Sequence, residues 1–144
     1  MKLLVAIDFS EITKRILEKV EQIAIKANAK VWLIHVAQPD PDFIGYNVGP
    51  DSERKFMADK FRDQHIKIQE LSEGMKEKGI NITPLLVQGP TIETIIKKAE
   101  KLNADMIVVG SHGHGTMFHI LVGSISHGLL KQSHIPLLII PAKK

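Results

Sequence analysis

A chain of 144 residues that is 44% hydrophobic and 24% charged has the apolar content of one globular domain spanning residues 1–144, with no room for a separate substrate lobe. Its formal charge of +3 arises from 19 Lys and Arg interleaved with 16 acids, and one Trp, one Tyr and five Phe supply little for base stacking along a strand, so nucleic acid is not the expected partner. No Cys is present, which removes disulfide scaffolds, thiolate metal sites and cysteine nucleophiles.

The first apolar run, Leu3 to Ile7, ends at Asp8 and is too short for a signal-peptide core. No stretch approaches the 18 or more apolar residues of a membrane span, so a cytoplasmic protein without membrane contact is expected. After this run, Ile12, Ile16, Val20, Ala24 and Ala27 share one face at helical spacing, with Ser10 as the expected N-cap. Val31 to Val36 is a second apolar run. Gln38 to Pro50 holds three Pro and two Gly and reads as an irregular loop; residues 51–78 read as a long helix facing inward through Phe61, Ile68, Leu71 and Met75 and closed by Gly79.

Ile82 to Val87 is the third run. Ile92, Ile95, Ile96, Ala99 and Leu102 form another helical stripe ended by Asn103; Met106 to Val109 and Leu137 to Ile140 complete the set. Runs that are apolar throughout, instead of alternating, suit strands covered on both faces. Strands alternating with helices predict an α/β fold: a doubly wound, five-stranded, mainly parallel sheet with helices on both faces. Pro84 cannot donate to a ladder, which places the third strand at an edge and makes 3-2-1-4-5 the simplest order. Ligands in such sheets bind at the carboxyl ends of the strands where the order reverses, here between the first and fourth, so attention falls on Asp8 to Ser10 and on Gly110 onward.

Residues 110–116 read Gly-Ser-His-Gly-His-Gly-Thr, and Gly123-Ser124 opens the next helix. Glycines let the backbone approach a ligand, and a helix N-terminus adds free amides and a positive dipole end, a combination suited to polyphosphate. The same composition also describes a plain strand-to-helix turn. Neither a G-x-x-x-x-G-K-[ST] loop nor a G-x-G-x-x-G after the first strand is present.

Gly110-x2-Gly113-x9-Gly123-Ser124 resembles the G-x2-G-x9-G-[ST] signature of the ATP-binding branch of the universal stress proteins, and the likeness extends over the whole chain through Val5-Ala6-Ile7-Asp8, His35-Val36, Ala104 to Gly110 and His134 to Ile140. The resemblance implies an adenine nucleotide alpha hydrolase-like domain of strand order 3-2-1-4-5. It also implies a homodimer joined through the last strand, a protein that binds ATP and acts in stress adaptation. Carried over by position, Gly110, Gly113, Gly123, Ser124, Ile125 and Ser126 would hold the phosphates, with Mg²⁺ accompanying them, and Ala6, Ile7, Asp8 and Val36 would line the adenosine side. A carboxylate at Asp8 can accept from ribose hydroxyls; it also suits a helix start, where the dipole favours an acid.

Phe9 stands where a small residue is frequent in that family and is expected to crowd or reshape the adenosine pocket. His112, His114, His119 and His127 fall within sixteen residues, but their spacing matches no recognised ligand pattern, and no metal site is expected. His35, inside an apolar run, reads as a satisfied core histidine. With no Lys or Arg in the motif to stabilise a transferred phosphoryl, no catalytic residue is assigned and hydrolysis is expected to be slow at most. The competing reading is an ATPase or a phosphoryl- or adenylyl-transferring enzyme using the same site.

Overall fold

The computed structural model describes residues 1–37, 51–111 and 123–142. Within them the apolar runs become β1 (Lys2–Ala6), β2 (Lys30–Ala37), β3 (Asn81–Gln88), β4 (Met106–Gly110) and β5 (Leu137–Ile140). Every pairing is parallel and the order is β3-β2-β1-β4-β5, as expected from the alternation and from Pro84, which lies on the edge strand β3 opposite Leu33. The expected loop 38–50 lies outside the described residues.

Four helices cover the sheet: α1 (Ile12–Ala27), α2 (Asp51–Lys76), α3 (Thr91–Leu102) and α4 (Ser124–Gln132). Alternation along each strand divides the core in two. On one face Leu3, Val5, Val31 and Leu33 meet Ile16, Val20 and Ala24 of α1 and Ile68 and Met75 of α2. On the other, Leu4, Trp32, Ile34 and Val36 meet Ile95 and Ala99 of α3 and Leu129 of α4. The strand side chains facing both ways are wholly or almost wholly buried, and each contributes roughly 1.5–3 kcal/mol by leaving water. That two-sided burial is why the runs do not alternate in polarity.

The helix ends follow local chemistry. Asn28 and Asn103 close α1 and α3 in the left-handed region, with φ of 45° and 51°, where their short polar side chains are tolerated. Gly79, with φ of 81°, follows α2 as expected. The start of α1 differs from expectation. Glu11 occupies the N-cap position and no side chain caps the helix. The Ser10 hydroxyl instead donates to Asp8 Oδ1, while its carbonyl accepts from the Thr13 amide at 3.0 Å. Donating its proton to the carboxylate two residues back orients the Ser10 side chain toward Asp8.

Candidate functional site

β1 and β4 are neighbours whose following helices, α1 and α4, pack on opposite faces of the sheet, so a crevice opens above their carboxyl ends. On the β1 side the chain turns sharply. Ile7 donates its amide to the Ile34 carbonyl at 3.0 Å, and Asp8 Oδ1 accepts both the amide of Ser10, at 3.0 Å, and its hydroxyl. Phe9, between them, has φ of 60°. Its ring packs against His35 with centroids 4.4 Å apart and planes at 44°. His35 is buried, and its Nδ1 lies 2.9 Å from the Ile7 carbonyl, a contact that places the ring proton on that nitrogen. The satisfied histidine expected from sequence is therefore present, and it braces the end of β1.

On the β4 side the hub is Ser111. Its amide donates to Ile140, its hydroxyl accepts the Ala142 amide at 3.0 Å, and its carbonyl accepts the amide of Gly123. The described residues on either side of 112–122 are thereby tied to each other and to the end of β5.

Gly123 has φ of −67° and ψ of 164°, a backbone open to any residue, so a left-handed turn is not what glycine supplies there. The first-turn amides of Ser124, Ile125 and Ser126 have no acceptor within the helix and carry its positive dipole end. The hydroxyl of buried Ser126 donates to the Gly123 carbonyl at 3.0 Å. That donor is committed internally, so Ser126 can offer a ligand its amide.

These edges enclose a cavity of about 800 Å³. Ala6, Ile7, Asp8, Val36, Gly110, Gly123, Ser124, Ile125 and Ser126 all line it. Gly113, like His112, His114 and His119, lies outside the described residues. His127 is exposed on α4, and among the described residues no three His, Cys, Asp or Glu gather at metal-binding distance.

Sequence reasoning missed the opposite wall. Lys60, Asp63, Gln64 and Lys67 of α2 line the cavity, together with Met57 and Phe61, and Thr91 contributes from the start of α3. Positions 60, 64 and 67 share a helical face, but charged residues at that spacing read equally as a solvated surface. Only the placement of α2 over β2 and β3 reveals which face looks inward.

The model of the universal stress protein family matches residues 1–141. The chain is 26% identical to universal stress protein MJ0531 of Methanocaldococcus jannaschii over 99% of this chain and 83% of that protein. Its identity to universal stress protein MJ0577 of the same organism is 25%, over 99% and 95% of the two chains. The solved structure of MJ0577 superposes with a TM-score of 0.87 at 26% identity, covering 99% of this chain and 96% of that one. A universal stress protein from Archaeoglobus fulgidus solved in complex with dAMP shares the fold at 17% identity, with a TM-score of 0.69 and 97% of each chain covered.

Proposed function

The chain belongs to the universal stress protein family, and from this we propose that it binds ATP in the cavity above β1 and β4 and serves as a nucleotide-dependent regulatory module of the stress response. The observation that carries the reading is the convergence of the motif residues: Asp8 from β1's end, Gly110 from β4's end and the first turn of α4 line one cavity although they are far apart in sequence. The relative from Archaeoglobus fulgidus was solved with dAMP, and another protein of this fold was solved with cAMP.

In this reading the polyphosphate lies against Gly110, Gly123 and the amides of Ser124, Ile125 and Ser126, where the helix dipole favours negative charge. The ribose hydroxyls donate to the Asp8 carboxylate, and Ala6, Ile7 and Val36 line the adenosine side. Gly113 belongs to the phosphate set by its place in the motif. Mg²⁺ fits only as a passenger on the phosphates, since the described residues hold no ligand cluster for it. Two cations of α2 do line the cavity, but Lys60 and Lys67 are exposed and the acid Asp63 lies on the same wall. A ligand held with equal strength before and during reaction gains no rate, so turnover is slow at most. The functional unit is a homodimer joined through β5.

Mass analysis of small molecules released on denaturing the purified protein should find ATP, and Gly123→Val should release none. ATP at about a hundred times its Kd stabilises a protein by roughly 2.7 kcal/mol, which should raise the Tm of a chain this size by roughly 10 °C. Wild-type protein that releases no ATP and shows no shift overturns the reading.

A further inference from the structure

Among the described residues, three non-glycine residues have positive φ: Phe9, Asn28 and Asn103. The two asparagines sit at helix C-caps, where the left-handed conformation is ordinary for that side chain. Phe9 is at no helix C-cap; its backbone is held by the bonds from the Ser10 amide and hydroxyl to Asp8 Oδ1 across it. A bulky residue there is an outlier that persists only when its surroundings enforce it, and such residues concentrate at ligand sites.

Its surroundings are specific. Phe9 follows Asp8 directly, and its ring rests on His35, which is itself pinned through Nδ1 to the Ile7 carbonyl and precedes Val36. Phe9 is half-buried and lines the cavity together with His35, Asp8 and Val36. A β1 turn that only needed to reverse the chain would be easier to build with glycine at this position. The structure holds an aromatic ring there instead, which rests on His35 and on the core cluster under α1 and α2 and lines the cavity at the carboxyl end of β1.

We infer that Phe9 is the residue that holds the base: its ring, backed by His35, forms a flat apolar platform on which a purine stacks, so that the cavity discriminates nucleotides from bare polyphosphates. This rests on the nucleotide-binding reading above and adds the source of its preference for a nucleotide over bare polyphosphate. Crowding of the adenosine pocket by Phe9, expected from sequence, becomes a contact under this arrangement. Stacking requires a flat π face, which apolar bulk alone does not supply.

The test uses three variants and two probes, ATP and inorganic tripolyphosphate, by calorimetric titration. Phe9→Gly accommodates the same φ without strain, so it should fold, and removing the ring should raise the Kd for ATP roughly tenfold or more, as loss of one base–aromatic stack does. Its Kd for tripolyphosphate should stay at the wild-type value. Phe9→Leu, which keeps apolar volume but no flat face, should also bind ATP weakly, and Phe9→Tyr should bind it within about twofold of wild type. Wild-type ATP affinity in Phe9→Leu overturns the inference and leaves the binding reading standing. So does an equal loss of ATP and tripolyphosphate affinity in Phe9→Gly. A wild-type protein that binds neither probe overturns both.

Discussion

In the proposed complex Asp8 carries two kinds of contact at one carboxylate. Oδ1 is engaged by the amide and hydroxyl of Ser10, which fixes the orientation of the group. Asp8→Asn keeps an oxygen for Ser10 but replaces a second acceptor oxygen with an amide donor, which cannot accept from a ribose hydroxyl. Hydrogen bonds to a charged acceptor are worth about 1.5–3 kcal/mol, so ATP affinity should fall at least tenfold while the Tm without nucleotide changes by a few degrees at most. A titration showing unchanged affinity would remove Asp8 from the ribose. At this scale the sequence was readable where chemistry is local and misleading where two local options competed. Residue type and place in the motif single out Asp8 and Gly123-Ser124, and these line the cavity. A serine before an apolar stripe reads as a cap, yet the Ser10 side chain is oriented by donating its proton to a carboxylate two residues away. Nothing in the letters Asp-Phe-Ser announces that Phe9 adopts φ of 60°.

The elements set how firmly the proposed phosphate lip is held. Gly128, in the middle of α4, faces Ile92 of α3; a Cβ built on it would stand 2.1 Å from Ile92 Cδ1 and 3.1 Å from Cγ1. Helix propensity alone favours Gly128→Ala by about 1 kcal/mol, but overpacking typically costs about 1–3 kcal/mol. The Cδ1 methyl can swing aside at the end of its side chain, whereas Cγ1 at 3.1 Å must give against the core that Ile92 packs on, which makes the second effect larger. Gly128→Ala should therefore destabilise in a denaturant melt and, by shifting the start of α4, weaken ATP binding as well. Ile92→Val removes the atom at 2.1 Å, so the double variant should recover part of the loss despite the usual cost of about 0.5–1.5 kcal/mol for Ile→Val. An additive double mutant would show that the two helices do not meet there. The strands and helix stripes were legible because burial on both sheet faces and on one helix face writes itself into apolar spacing. The meeting of Gly128 with Ile92 was not, since it depends on how α3 and α4 lie across the sheet. The place of exposed Lys60, Asp63 and Lys67 along the cavity is hidden for the same reason: a charged face on α2 has one spelling whether it meets solvent alone or borders a cavity.

At the scale of the whole molecule, the sheet has two edges of different character. β3 carries Pro84 and ends in Gln88, features that blunt an edge against further pairing, whereas β5 is Leu-Leu-Ile-Ile without a charge or a proline inside it. Leu137, Leu138 and Ile139 are only half-buried. The Pro136 carbonyl accepts the Ile107 amide and the Ile140 carbonyl accepts the Ser111 amide, so along β5 the even-numbered residues bond to β4. In a parallel ladder a residue's amide and carbonyl point to the same side, which leaves those of Leu137 and Ile139 facing outward. An apolar edge with outward donors and acceptors fits a second copy of the chain, as the dimer proposed for this family member requires. Ile139→Pro deletes the outward amide at the strand's centre without touching the bonds to β4. It should convert the protein from dimer to monomer in sedimentation at micromolar concentration, with ATP still released on denaturation. A dimer that survives the substitution would move the interface away from β5. Because Ser111 joins Ile140 and Ala142 to Gly123, the same edge is connected to the start of α4 by hydrogen bonds of a single buried residue. Any effect of the Ile139 variant on nucleotide affinity would have to pass through the end of β5 and that serine.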